Sequence, residues 1–141
     1  MPEPSVLVIG AGPAGLCLAR ALSLRGLRVD VIELQPREAI AAPAADGREI
    51  ALTQASMRIL RELGAWERID ASLVSPLVAA RVADGDGGRA GEGFGVDAAP
   101  FGREALGGLV ANRDIRAAAW AMVEDDERIR VHFEARVASV S

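Results

Sequence analysis

The residues that most constrain this chain lie near its start. Ser5-Val6-Leu7-Val8-Ile9 is a short β-branched run, and it ends in Gly10-Ala11-Gly12-Pro13-Ala14-Gly15. That glycine spacing says little alone. Here it follows an apolar strand, opens a helix, and precedes a second strand, Arg28–Glu33, which closes on an acid 18 residues past Gly15. Strand, turn, helix and strand in about 30 residues make a βαβ unit. Glycines so placed within one are the fingerprint of a dinucleotide site.

Each position has a physical task in that site. Gly10 permits the tight turn out of the strand, and Gly12 has no side chain to keep a pyrophosphate from the backbone. Gly15 lets the helix pack closely on the sheet. Pro13 suits a first helical turn, where its missing N–H would have no partner anyway. Pro13 and Ala14 belong to the same candidate site. The helix N-terminus turns unpaired N–H groups and the positive end of its dipole toward the phosphates. Glu33 is placed to accept ribose hydroxyls, and it would repel a 2′-phosphate, which argues against NADP here. These residues do not separate FAD from NAD.

Composition excludes several other classes. The chain has 141 residues, 50% of them hydrophobic, so it can bury a core and is not disordered throughout. A formal net charge of −4 does not suit a nucleic-acid backbone binder. No apolar run approaches the ~20 residues of a membrane span. Met1-Pro2-Glu3-Pro4-Ser5 has neither the basic residue nor the apolar stretch of a secretory signal. The single cysteine, Cys17, excludes an internal disulfide and a cysteine-built metal site, and fits a reducing, cytoplasmic setting.

Along the rest of the chain, Pro13 to Arg25 reads as a helix stopped at Gly26. Ala39–Gly47 reads as a surface loop. Glu49–Leu52 leads into a helix from Thr53, a candidate N-cap, to Leu63, with Gly64 as the stop and Met57, Leu60 and Leu63 as one apolar stripe. Leu77–Val82 and Leu106–Val110 read as strands. Between them Ala83–Gly95 carries six glycines mixed with charges, and the plain reading is a hairpin tip, since no helix follows to complete a phosphate cradle. Asn112 or Asp114 caps a helix through about Glu124. Ile129–Phe133 reads as a strand, and Ala135–Val140 as the start of another. The strands near 5–9, 28–33 and 129–133 are expected side by side in the parallel sheet of a three-layer α/β domain. The segments near 77–82 and 106–110 are expected to begin a second, mixed sheet.

Three blocks resemble one family. Gly10-Ala11-Gly12-Pro13-Ala14-Gly15-Leu16 resembles the FAD-binding signature of flavoprotein monooxygenases. Gly47-Arg48-Glu49-Ile50-Ala51-Leu52-Thr53, with Leu60-Arg61-Glu62-Leu63-Gly64-Ala65-Trp66, resembles the ubiquinone-biosynthesis hydroxylase branch. So does Leu106-Gly107-Gly108-Leu109-Val110-Ala111-Asn112, followed by Ile115-Arg116. The blocks keep the family's order over nearly the whole chain.

The resemblance implies a Rossmann-like FAD-binding domain over residues 1–141, with about 72–110 belonging to the substrate-domain sheet. It implies FAD as cofactor, NAD(P)H as transient co-substrate, and O₂ and a small aromatic ring, such as a ubiquinone precursor, as reactants. The cofactor carries that chemistry, so no catalytic residue is named. Arg48 matches an arginine that reaches FAD near its pyrophosphate and flavin end; the plain alternative is a solvated loop arginine. Asn112 falls where the family usually places Gln or Arg against FAD; the plain alternative is a helix N-cap. Arg116 is a weaker candidate, with a helix-surface arginine as the default. His132, Cys17, Trp66 and Trp120 are expected to be structural. The family's long C-terminal half, with a Gly-Asp motif, has no match here, so the chain reads as an incomplete, inactive piece. The intact protein, if its ring carries a polyprenyl tail, would associate peripherally with the membrane. The alternatives are another FAD or NAD oxidoreductase, or a non-catalytic nucleotide-binding fragment.

Overall fold

The structure is a computed structural model in which residues 5–82 and 94–139 are described. The chain opens with β1 (Ser5–Ile9), α1 (Pro13–Ser23) and β2 (Arg28–Ile32). A short α2 (Arg37–Ala41), β3 (Glu49–Thr53) and α3 (Gln54–Leu63) follow. Next come β4 (Ser75–Leu77), β5 (Ala79–Val82) and β6 (Phe94–Asp97). The described chain closes with β7 (Gly107–Ala111), α4 (Asn112–Val123) and β8 (Ile129–His132). The Gly-rich segment read as a hairpin tip lies outside the described residues except at its end, but β5 and β6, which flank it, pair antiparallel.

The three strands expected side by side are so, in the order β1-β2-β8 and parallel. The register sets Val6, Val29 and Ile129 in one row and Val8, Val31 and Val131 in another. These rows lie under α1 and α4. Leu16 and Ala19 of α1, and Ala119, Trp120 and Val123 of α4, fill the layer between sheet and helices. Small residues at 19 and 119 let the two helices approach; both are fully buried. Each large aliphatic side chain there contributes about 1.5–3 kcal/mol of burial. The opposite face of the sheet carries Leu7 and Ile9, 58% and 60% exposed. A third layer over that face is not among the described residues, so β1 is covered on one face rather than both.

The second sheet is present, and each of its pairs is antiparallel, in the order β3-β7-β4. It recruits Glu49–Thr53, which reads in sequence as a lead-in to the helix. Ile50 and Leu52 alternate inward there, and the capping signal at Thr53 masks so short an alternation. The run 77–82 divides between two sheets. Pro76 has no N–H to donate and sits on the edge strand β4, where none is needed. Ala98 then donates to the Val78 carbonyl as β5 turns to meet β6.

Other sequence expectations also shift. Thr53 caps α3 by accepting from the Ser56 N–H at 3.1 Å, and Gly64 ends it at φ 87°, both as read. Ala39–Ala41, read as loop, closes α2 because Ile40 is buried in the core. The residue flanking α4 at its start is Ala111, with no side-chain cap, so neither Asn112 nor Asp114 caps that helix. Residues 135–139 form no strand: Glu134 adopts φ 53°, and the Ala135 N–H turns back to the Glu33 carbonyl at 2.9 Å. Far from that edge, Asp126 receives Arg20 Nη1 at 2.7 Å and Ser23 Oγ at 2.6 Å, pinning the end of α1 to the turn before β8. No described helix is long and apolar enough to cross a membrane.

Candidate functional site

The parallel strands end at one edge, and topology gathers the candidate residues there. The helix α1 starts where β1 stops. The helix α4 ends at the turn that feeds β8, so its N-terminus also lies toward the carboxyl edge. Gly12, Glu33 and Asn112 therefore share the edge where doubly wound sheets bind ligands.

Gly10 has φ 99°, a conformation that favours glycine, and its N–H extends the ladder to the Ile32 carbonyl at 2.8 Å. Gly12, by contrast, has ordinary extended backbone at φ −72° and ψ 173°. A Cβ built on it meets nothing within 4 Å. Nothing in the fold demands glycine at 12, so the space is available to a ligand. Gly15 is the opposite case: a Cβ there would run into the Gly10 carbonyl oxygen. Pro13 opens α1, no side chain caps its N-terminus and its first turn holds no acid. The orphan N–H groups and the dipole are left for an anion.

Glu33 is 8% exposed, and its carboxylate has two backbone donors. The Ala11 N–H gives to Oε2 at 2.7 Å, and the Gln35 N–H to Oε1 at 2.8 Å. The acid thus braces the glycine turn from the end of β2, a task the motif alone does not disclose. Each oxygen keeps a lone pair for a further donor.

Arg48 and Asn112 meet through a residue that sequence reading missed, Asp46. Asp46 Oδ2 receives Arg48 Nε at 2.8 Å and Nη2 at 2.6 Å, and Asn112 Nδ2 at 2.7 Å. Oδ1 receives the Arg48 N–H at 3.1 Å. Hydrogen bonds from Arg48, with a lesser one from Asn112, hold the Asp46 carboxyl well below the usual carboxylate range. Backbone pairing reinforces the cluster, since the Asn112 N–H donates to the Arg48 carbonyl at 2.9 Å. A cleft of ≈ 260 Å³ opens beside it, lined by Asp46, Arg48, Glu49 and Arg113 among others. Asp46-Gly47-Arg48, with Gly47 at φ 72°, is the local signal that marks such a turn.

The remaining candidates have structural partners. Arg116 Nη2 reaches the Ala39 carbonyl at 3.4 Å, tying α4 to the middle of α2. His132 Nε2 lies 2.7 Å from Asp30 Oδ1 on the uncovered sheet face. Burial raises the Cys17 thiol above its ordinary range, which disfavours the reactive thiolate. Trp120 is buried edge-on to Phe133, with centroids 5.7 Å apart, and the Arg61 guanidinium lies over Trp66 at 4.7 Å. Among the described residues no cluster of His, Cys, Asp and Glu could hold a metal.

Comparison with known proteins gives the family. Residues 3–138 match the FAD binding domain family. The chain is 36% identical over 141 residues to the ubiquinone hydroxylase UbiM of Neisseria meningitidis, covering 96% of this chain and 30% of that one. It is 30% identical over 125 residues to the 3-demethoxyubiquinol 3-hydroxylase of Escherichia coli, covering 88% and 31%. In fold it is similar to PqsL of Pseudomonas aeruginosa, described as a probable FAD-dependent monooxygenase. That match has a TM-score of 0.68 at 21% identity and covers 99% of this chain and 35% of that one. The chain spans about a third of the length of these relatives.

Proposed function

The chain belongs to the FAD-binding domain family, and from that premise we propose that it is the FAD-binding portion of a monooxygenase that hydroxylates an electron-rich aromatic ring. The single observation that carries the binding site is the contrast between Gly12 and Gly15. One glycine is required by packing, and the other stands in open space at an uncapped helix N-terminus. Identity to two ubiquinone hydroxylases supports a ubiquinone precursor as the ring.

In this reading Gly10, Gly12, Pro13, Ala14 and Gly15 present backbone to the diphosphate, whose charge meets the N-terminal dipole of α1. Glu33 accepts from the ribose with the lone pairs that Ala11 and Gln35 leave. Arg48 sets a guanidinium against the diphosphate, and Asn112 stands beside it through Asp46. When bound, FAD supplies the redox chemistry: electrons from NAD(P)H, and one oxygen of O₂ to the ring. The chain's own work is to bind, orient and exclude water. The strands of 72–110 begin the sheet that covers the substrate. The intact protein works in the cytoplasm, where NAD(P)H is available.

The intact protein, purified and stripped of ligand, tests this by titration with FAD followed through flavin fluorescence. Saturable binding is expected, with hydroxylated product once NADH, O₂ and a phenolic ring are supplied. Failure to take up FAD would sink the site; binding without product would sink only the reaction.

A further inference from the structure

Arg48 is half committed. Its guanidinium has five N–H donors in a planar fork. Asp46 takes the Nε edge, at 2.8 Å from Nε and 2.6 Å from Nη2. Nη1 has no partner among the described residues, so the second edge of the fork, Nη1 with the outer hydrogen of Nη2, remains available for a bidentate contact. Asp46 is held in turn. Asn112 Nδ2 donates to it across 66 positions of sequence, and Asn112 is itself buried at the first position of α4. The Arg48 backbone N–H fixes the other carboxylate oxygen. The carboxylate therefore bridges the loop before β3 and the start of α4, and grips the arginine by the side its ligand does not need.

We propose that Asp46 is a positioning residue that holds the Arg48 guanidinium by its Nε edge, so that the Nη1–Nη2 edge faces the diphosphate of the bound dinucleotide. This rests on the assignment of Arg48 to FAD made above. Without Asp46 a long, exposed arginine must be ordered when FAD arrives, and that lost rotamer freedom weakens binding. Asp46 also places a negative charge near a diphosphate. The fixed fork outweighs this, because the carboxylate charge is neutralised by the guanidinium it holds.

The test uses the intact protein, stripped of flavin, in four forms: wild type, Asp46→Asn, Arg48→Gln and the double variant. Asparagine keeps one acceptor oxygen, which can still take the Arg48 N–H, while its NH2 removes both the charge and the acceptor that grips the guanidinium. FAD affinity is read by fluorescence titration, and apoprotein thermal midpoint is read separately. Asp46→Asn is expected to weaken FAD roughly three- to tenfold with little change in midpoint, and to add nothing in the Arg48→Gln background. The proposal is overturned if Asp46→Asn binds FAD as well as or better than wild type. It is equally overturned if its effect persists in full without Arg48, as for a carboxylate that merely supports the loop. If Arg48→Gln alone binds as wild type does, the assignment of Arg48 itself is refuted, and the proposal falls with it.

Discussion

Adding one methyl group at Gly12 and one at Gly15 should separate ligand binding from folding. At Gly15 a Cβ would fall far inside the 3.0 Å that real Cβ atoms keep, against the Gly10 carbonyl oxygen. It would also stand 3.2 Å from the Gly10 carbonyl carbon and 3.5 Å from Val8 Cγ1. Backbone cannot rotate out of the way, so α1 and the turn must part by about 1 Å, at a cost of about 1–3 kcal/mol. At Gly12 the backbone suits alanine and the space is open. Gly12→Ala should therefore change stability by no more than about 0.5 kcal/mol. Its methyl instead blocks the ligand. A diphosphate oxygen bonded to the α1 N–H groups sits about 2.9 Å from those nitrogens. A methyl carbon wants about 3.5–4.0 Å of clearance from its neighbours. FAD affinity should fall about 10–100-fold, or about 1.4–2.8 kcal/mol. Urea unfolding and FAD titration of both variants check this. Undiminished FAD binding by Gly12→Ala would refute the placement of the diphosphate; a loss of stability matching that of Gly15→Ala would refute the open-space argument.

Other substitutions probe the supports. Glu33→Gln replaces an acceptor with an amide that cannot receive both the Ala11 and Gln35 N–H groups, so stability should drop by about 1–3 kcal/mol in urea. Asp126→Asn should cost about 2 kcal/mol near neutral pH by weakening the bonds from Arg20 and Ser23. Burial is the largest influence on the Asp126 carboxyl and raises it, but Ser23, the Arg128 N–H and Arg20 together bring it below its ordinary value. A lowered carboxyl stabilises the fold above its unfolded pKa of about 3.9 and loses that effect as pH falls through the folded value. The wild type's margin over Asp126→Asn should therefore shrink below about pH 4; a margin that grows with acid would contradict the ion pair. Cys17 should react with a thiol reagent at neutral pH more slowly than a free model thiol, since burial raises it; faster labelling would contradict its placement.

The motif was legible because glycine spacing, strand and acid are all local in sequence. The parallel sheet was legible too, since Val6, Val29 and Ile129 sit in β-branched runs. What escaped has a common cause: it depends on where a side chain points across a gap. Asn112 looked like a cap, yet it stands inside the first turn and reaches Asp46, 66 positions away. Asp46 lay unremarked in a loop: the nearby Arg48 was a local hint, but the third donor on the same oxygen comes from Asn112, far along the chain. Glu33 was read as a ribose ligand, but its tie to Ala11 needs β2 to be laid beside β1 first. The strand at Glu49–Thr53 was hidden for another reason: five residues of alternation abut a strong capping signal.

The order β1-β2-β8 has a bearing on how the chain is made. Val29 is paired with Ile129, so β2 waits for its second neighbour until 100 further residues have been synthesised. At about 5–20 residues per second that is about 5–20 s during which one edge of β2 has unpaired N–H and C=O groups. A nascent chain in that interval is a template for stray strand pairing. Arg28 and Asp30 put charges on β2 itself, Asp30 on a row that Arg130 of β8 later meets. Charges so placed suit the part of gatekeepers, which keep an unfinished edge soluble until its own partner emerges.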